Sequence, residues 1–373
     1  MSSKTKRNIP EVFNVSSTNN TTSFKIKNTN VSFVNALRRT ILKSIETAVF
    51  RTSPYEKNDC NIITNTSRLN NEILKQRLSC IPIHIKDLDI IENLEMELDV
   101  ENTSESVIYV TTHDFKIKDN TTNKFLSDTE TNKIFPVDPV TKEHIIFARL
   151  RPKIATTIPG EKIHLKCKLS INNANANGSF NVVSTCAYSF DDDVEKQNKE
   201  WLLFSKSLNK TKAGIEKEKK NWFNHKSKKF YKQDVFNFIV ETIGVFTNIE
   251  IIKKACEIIK SKLQKLQVLY TNENKLIKKS ISTTNYCYDI TLPDEDYTIG
   301  KIIEYIIHQD FFANGPELSY VGFSKKHPHD NESIIRLAFN QEENSNIDSI
   351  RSILIHAITQ SMDIINNIDE SFG

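Results

Sequence analysis

Hydrophobic positions recur along the chain with two different spacings. Helical spacing predicts amphipathic helices that begin near residues 32, 71, 247, 298 and 345. Period-two alternation predicts strands at residues 22–28, at several places within 94–190, and at 236–240, 286–290, 319–323 and 333–339. The chain therefore combines helices and strands, and we predict an α+β fold.

Two of these helices begin alike. Residues 30–39 read Asn-Val-Ser-Phe-Val-Asn-Ala-Leu-Arg-Arg, and residues 296–305 read Asp-Tyr-Thr-Ile-Gly-Lys-Ile-Ile-Glu-Tyr. In each, a hydroxyl residue precedes the apolar positions, so we predict Ser32 and Thr298 as the N-caps. The duplication indicates a pseudo-symmetric pair of helices within one chain.

A short helix is predicted in the segment Asn71–Ile83. Pro82 must end it, because proline lacks an amide hydrogen and forces the residue before it into an extended conformation. Taken alone, this segment could be an ordinary turn, and the amphipathic helix from Ser32 could simply pack on the core of its own domain.

Charge and composition argue against a dedicated nucleic-acid binder. The 373 residues contain 50 Lys+Arg and 47 Asp+Glu, a formal charge of +3, which is too thinly spread for strong binding to phosphate. The lysine-rich stretch Lys210–Lys229, near Trp201, Trp222 and Phe223, could stack single-stranded nucleic acid. The favoured interpretation is a solvated loop that its aromatic residues attach to the core.

Catalytic and metal-binding patterns are missing from the sequence. The six cysteines have no C-x-x-C spacing, and the chain has no phosphate-binding glycine loop. Adjacent aspartates at 191–193 are interpreted as a polar turn, since neighbouring carboxylates on a strand face opposite sides. We therefore predict no active site, no metal and no cofactor.

The first residues carry charges without a following apolar stretch, and no window approaches the roughly 20 apolar residues of a membrane span. A soluble, intracellular protein is expected.

Two motifs in the first half resemble the RNA polymerase alpha-like family, namely bacterial alpha, its archaeal D-type counterpart and the third-largest subunit of eukaryotic polymerase II. They are Asn35-Ala-Leu-Arg-Arg39 and Arg77-Leu-x-x-Ile-Pro-Ile83. The period-two region of residues 94–190 is similar to the insertion of that family. The chain departs from relatives that bind zinc or an iron–sulfur cluster there, because its cysteines are not clustered.

The second half resembles the smaller partner, the archaeal L-type polypeptide and its eukaryotic counterpart. Asp296-Tyr-Thr-Ile-Gly300 and Gly322-Phe-Ser-Lys-Lys-His-Pro328 are similar to its motifs. The resemblance implies a fusion of the D-type and L-type partners, as in polymerases of large DNA viruses.

On this basis we predict two alpha-like dimerisation domains in one chain, the first interrupted by a β-rich insertion. The predicted domains are residues 20–50 with 230–270 (D-like), 51–229 (insertion), 271–284 (linker) and 285–373 (L-like).

The resemblance implies a non-catalytic assembly platform of a multisubunit DNA-directed RNA polymerase. Its partners would be the largest and second-largest subunits and small subunits, with DNA reached only through the complex, and the chain would be monomeric within it. Such transcription would occur inside the cell, and for a viral enzyme in the virion and host cytoplasm. The alternative function is a free-standing nucleic-acid-binding module that uses Lys210–Lys229.

Specific residues follow from the resemblance and from the helical patterns. The predicted partner-binding residues are Asn35, Arg38, Arg39 and Arg77, with Arg39 on an outer face of its helix. The predicted internal dimer seam comprises Leu37, Ile41, Ile252, Ile259, Leu263, Ile302, Ile306, Leu354 and Ile358.

Overall fold

The computed structural model describes residues 9–154, 158–208, 211–273, 275–281 and 283–373. The chain forms two compact units. The first unit comprises residues 1–41, 185–241 and 248–373, and the second comprises residues 42–184 and 242–247. Helices and strands are mixed in the chain, so the predicted α+β class is confirmed.

The strands of the described residues are β1 (Glu11–Thr18), β2 (Thr21–Lys27), β3 (Thr47–Val49), β4 (Cys60–Asn65), β5 (Leu94–Glu101), β6 (Ile108–Thr111), β7 (Lys116–Asp119), β8 (Lys124–Phe125), β9 (Ile146–Leu150), β10 (Lys162–Lys168), β11 (Ser170–Asn172), β12 (Val183–Asp192), β13 (Tyr231–Thr242), β14 (Ile277–Lys279), β15 (Cys287–Pro293), β16 (Leu318–Ser324) and β17 (Glu332–Phe339). The α-helices are α1 (Val31–Lys43), α2 (Asn71–Ser79), α3 (Asp128–Ile134), α4 (Val194–Lys206), α5 (Lys212–Asn224), α6 (Asn248–Asn272), α7 (Tyr297–Ile307) and α8 (Ile347–Glu370).

One sheet of the first unit has the strand order β1-β2-β13-β12. Phe24 and Ile26 are buried on alternate positions of β2, as the period-two pattern predicts. Phe24 lies opposite Phe238 of β13, and the two rings stack with centroids 5.0 Å apart. Helix α1 follows β2 along the chain, and α6 follows β13.

The other sheet of the first unit has the strand order β14-β15-β17-β16. Its two central strands are antiparallel, and Ile290 of β15 lies opposite Ile335 of β17. Helix α7 follows β15, and α8 follows β17. Strand order and helix positions are therefore the same in the two sheets. We call β1, β2, α1, β12, β13 and α6 the first repeat, and β14, β15, α7, β16, β17 and α8 the second repeat.

The second unit contains a five-stranded sheet of order β4-β10-β5-β7-β8 and a β6–β9 pair. Its core includes a cluster of the buried rings Phe50, Phe115, Phe135 and Phe147. Helix α2 ends at Ser79, shortly before Pro82, so this predicted helix is confirmed.

Residues 191–229 differ from the prediction of a polar turn and a loop. Asp191 and Asp192 end strand β12, and the Asp193 side chain accepts a bond from the Lys196 amide as the N-cap of α4. Helices α4 and α5 occupy most of the remaining stretch. The pattern did not indicate helices because each has a short apolar face; Lys210 of the predicted basic stretch lies outside the described residues.

The predicted linker 271–284 also contains regular structure. Helix α6 continues to Asn272, and β14 forms the edge of the second sheet, with Ile277 opposite Ile290. One isoleucine in a Lys- and Asn-rich run gives little period-two signal. The unit boundaries differ from the predicted insertion, since residues 185–229 fall in the first unit. Residues 274 and 282 of this segment lie outside the described part of the chain.

Candidate functional site

Helix α1 begins at an asparagine cap. The Asn30 Oδ1 atom accepts a hydrogen bond from the Ser32 amide at 2.9 Å. Helix α7 begins in the same way, because Asp296 Oδ1 accepts from the Thr298 amide at 2.8 Å. The prediction that Ser32 and Thr298 are the N-caps is therefore wrong by two residues. The carboxamide or carboxylate side chain reaches the free amides of the first turn, which leaves the hydroxyl available for other partners.

Arg39 joins the two capped helices. Its Nη2 donates to Asp296 Oδ2 at 2.7 Å, and its Nε donates to the Thr298 hydroxyl oxygen at 2.9 Å. The Arg39 and Asp296 side chains are 29% and 23% exposed. The Arg39 guanidinium on α1 thus contacts the first turn of α7. Asp296 both caps α7 and balances the positive charge of Arg39.

The long helices α6 and α8 pack against each other in antiparallel orientation. Lys260 Nζ donates to Asp369 Oδ2 at 2.8 Å, and Gln267 Nε2 donates to the Thr359 hydroxyl oxygen at 3.3 Å. Towards the other end of the pair, Arg351 Nε donates to the Tyr270 carbonyl at 3.2 Å. The hydrogen bond to Asp369 raises the pKa of Lys260 above its ordinary value.

Further contacts run between the repeats. Lys262 of α6 lies 3.0 Å from the Glu295 carboxylate, and the Tyr270 hydroxyl donates to the Thr291 carbonyl at 2.7 Å. The rings of Phe33 and Tyr305 meet edge to face. We could not predict these contacts from the sequence, because each joins residues that no periodic pattern relates.

The nine residues of the predicted seam are all buried. None has more than 1% of its surface exposed; they are Leu37, Ile41, Ile252, Ile259, Leu263, Ile302, Ile306, Leu354 and Ile358. A continuous apolar stripe on each helix produces this burial. Which of them contact one another across the two repeats stays a prediction.

The four predicted partner-binding residues have different surroundings. Arg38 donates to Asn35 Oδ1 at 3.0 and 3.2 Å, within α1. Arg39 contacts the second repeat instead of lying free on an outer face. Arg77 donates to the carbonyl oxygens of Phe147 and Ile146 in the second unit. A partner-binding role for these residues stays a prediction.

An open cleft of about 390 Å³ lies between the first turns of α1 and the C-terminal half of α7. Its lining residues are Val31, Ser32, Asn35, Lys301, Glu304, Tyr305 and His308. It combines an apolar ring with charges of both signs.

Five of the six cysteines are buried, and Cys80 is exposed. Cys60 and Cys167 lie opposite each other on β4 and β10 and are buried. Burial raises the pKa of Cys186 and Cys256 to about 12, so both are neutral thiols at physiological pH. Among the described residues, no cluster of His, Cys, Asp and Glu could hold a metal ion. No helix in the described ranges is long and apolar enough to cross a membrane.

Comparison with known proteins gives a consistent family. A family model described as the RNA polymerase Rpb3/Rpb11 dimerisation domain matches residues 23–263, more than half of the chain. The DNA-directed RNA polymerase RPB3-11 homolog of African swine fever virus is 25% identical over 123 residues, or 32% of this chain. The chain spans only 33% of the length of that relative.

Two further relatives align with this chain over different numbers of residues. The rpc19 subunit of DNA-directed RNA polymerases I and III from Dictyostelium discoideum is 30% identical over 93 residues, which are 25% of this chain and 72% of the relative. A conjugation stage-specific protein of Tetrahymena thermophila is 22% identical over 297 residues, which are 64% of this chain and 88% of the relative. The predicted relation to DNA-directed RNA polymerase subunits, a viral one among them, is confirmed. The chain belongs to the RNA polymerase Rpb3/Rpb11 dimerisation-domain family.

Proposed function

We propose that this chain is a non-catalytic assembly platform of a multisubunit DNA-directed RNA polymerase, built as an alpha-like heterodimer within one polypeptide. The first repeat takes the role of the D-like partner, and the second repeat takes that of the L-like partner. One observation carries the proposal: a chain of the Rpb3/Rpb11 family contains two sheets of the same strand order, each followed by helices in the same positions.

Packing supports an intramolecular dimer. Helices α6 and α8 pack against each other, and Arg39 of the first repeat donates a hydrogen bond to Asp296, the N-cap of α7. Joining the partners covalently raises their effective concentration to roughly the millimolar range, which favours correct pairing without a search.

Catalysis then belongs to the large subunits that dock on the platform. We place recognition of the second-largest subunit at the cleft beside α1, where Asn35 lies on the lining and Arg38 bonds to it. The second repeat would face the largest subunit. Arg39 and Arg77 already donate to groups inside the chain, so they support the shape of the platform more than they offer free charge.

The alternative, a nucleic-acid-binding module, has weaker support. Stacking on single-stranded bases needs exposed aromatic faces. Trp201 and Trp222 are 7% and 4% exposed and pack on each other. DNA is therefore proposed to be reached only through the complex.

Purification of the tagged chain from its native source tests the proposal. The largest and second-largest polymerase subunits should co-purify with the chain, each in an amount equal to the other. Arg38→Glu, which reverses a charge bonded to the cleft residue Asn35, should reduce recovery of the second-largest subunit. Lys265→Glu reverses an exposed charge on α6 and serves as the control. Recovery of nucleic acid without either large subunit would contradict the platform.

A further inference from the structure

The helical hairpin α4–α5 exposes an unusual face of α4. Lys199, Leu202, Leu203 and Lys206 follow the spacing i, i+3, i+4 and i+7, which places them on one side of the helix. Leu202 is 60% exposed and Leu203 is 62% exposed. We call these four residues the α4 face.

The fold of the hairpin does not use the α4 face. Trp201 lies on the other side of α4 and is buried, with its ring 5.8 Å from that of Trp222 on α5. Phe204 and Phe223 complete this aromatic cluster. Since the cluster already joins the two helices, the adjacent leucines contribute little to folding and remain in water.

Charge around the hairpin is positive. Residues 191–234 contain twelve lysines against four glutamates and four aspartates, a formal charge of +4 in a chain whose total is +3. Some of these lysines are held within the hairpin, since Lys226 lies over the Phe204 ring and Lys228 pairs with Asp192. Lys199 and Lys206 are exposed, one helical turn on either side of the leucine pair.

We propose that the α4 face binds a segment of another protein in which apolar side chains are flanked by aspartate or glutamate. The leucine pair would take the apolar side chains, and Lys199 and Lys206 would take the carboxylates. The complementarity requires both features together, an apolar centre and acidic flanks.

Two other kinds of partner fit this face less well. A nucleic-acid phosphate in contact with the two leucines would lose water that the leucines cannot replace with hydrogen bonds. Trp201 and Trp222 are buried, so bases cannot stack on them. A membrane surface would gain only two apolar side chains, because the opposite side of α4 is buried in the hairpin. The inference goes beyond the proposed function and does not depend on it.

Site-specific photocrosslinking in the full chain tests the inference. A photoreactive amino acid is placed at Leu203, or at exposed Lys212 of α5 as the control, and the protein is irradiated in cells of its native source. Mass spectrometry then identifies the cross-linked molecule. We expect the Leu203 position, and not the Lys212 position, to cross-link to a protein segment with apolar residues between acidic ones.

Charge reversal provides the second measurement. Lys199→Glu together with Lys206→Glu should lower the cross-link yield about tenfold, while Lys212→Glu should leave it unchanged. Cross-linking to nucleic acid or lipid, to a protein segment without acidic residues, or equally from both positions would overturn the proposal. So would a yield that is insensitive to the double reversal. Recovery of the large polymerase subunits is scored separately, so the platform and the α4 face can fail independently.

Discussion

Replacing Arg39 should uncouple the two repeats at a defined point. Its guanidinium makes two charge-assisted hydrogen bonds, to Asp296 and Thr298. Such bonds contribute about 1.5–3 kcal/mol when buried, but these side chains are a quarter exposed, so water screens part of the interaction. We expect Arg39→Ala to lower the free energy of unfolding by about 1–2 kcal/mol.

Arg38→Ala is the matched control. The two arginines are neighbours on α1, but Arg38 donates to Asn35, one turn away on the same helix, and so makes a local contact. Its removal should cost about 0.5 kcal/mol or less.

A double-mutant cycle measures the contact itself. Asp296→Ala should cost about 2 kcal/mol, because it removes the partner of Arg39 and the N-cap of α7 together. In urea unfolding, Arg39→Ala and Asp296→Ala should show a coupling energy of about 1 kcal/mol. Additive effects of the two substitutions, or an equal loss in Arg38→Ala, would refute the assignment of Arg39 to a link between the repeats.

Three further changes have clear expected outcomes. Leu37→Asp puts a charge at a position with 0% exposure and should destabilise the first unit by several kcal/mol. The measurement is loss of the near-ultraviolet circular dichroism signal. Full retention of the native melting curve would contradict the buried seam. A Cβ at Gly300 would overlap the Phe323 ring, so Gly300→Ala should lower the melting temperature. Gly178→Ala is the control, because the added atom meets open space there, and it should leave the melting temperature unchanged. Equal effects of the two substitutions would be inconsistent with this packing. The hydrogen bond from Arg336 holds the pKa of Asp289 below its ordinary 3.8, so the pair stabilises the fold above pH 3.8 and this contribution is lost as the pH falls through the lower pKa of the folded state. Asp289→Asn should therefore reduce the loss in melting temperature on acidification. An unchanged dependence of melting temperature on pH would argue against the pair.

Apolar periodicity predicted the main helices and strands well. The stripe of isoleucines in α7 and the alternation in β2 each have one buried face, and both are visible in the sequence. The predicted cap positions are displaced by two residues, because Asn30 and Ser32, or Asp296 and Thr298, are all good capping residues and only backbone geometry selects between them.

Long-range contacts are beyond the reach of the sequence. Arg39 and Asp296 are separated by 257 positions, and the pattern gives no reason to pair them. The order of strands in each sheet likewise depends on how the chain crosses over, which alternation does not record. The α4–α5 hairpin escaped prediction because its buried aromatic residues are few and lie among lysines.

Cleavage between the repeats tests the intramolecular dimer most directly. A specific protease site inserted after the exposed Glu273 lies between the end of α6 and β14, so each fragment keeps its own sheet and helices. After cleavage, we predict that the two fragments remain together in size-exclusion chromatography and sedimentation, with the mass of one intact chain, 42.9 kDa. Two fragments that separate while each stays folded, or an uncleaved chain that forms a stable homodimer through the same helices, would contradict the account.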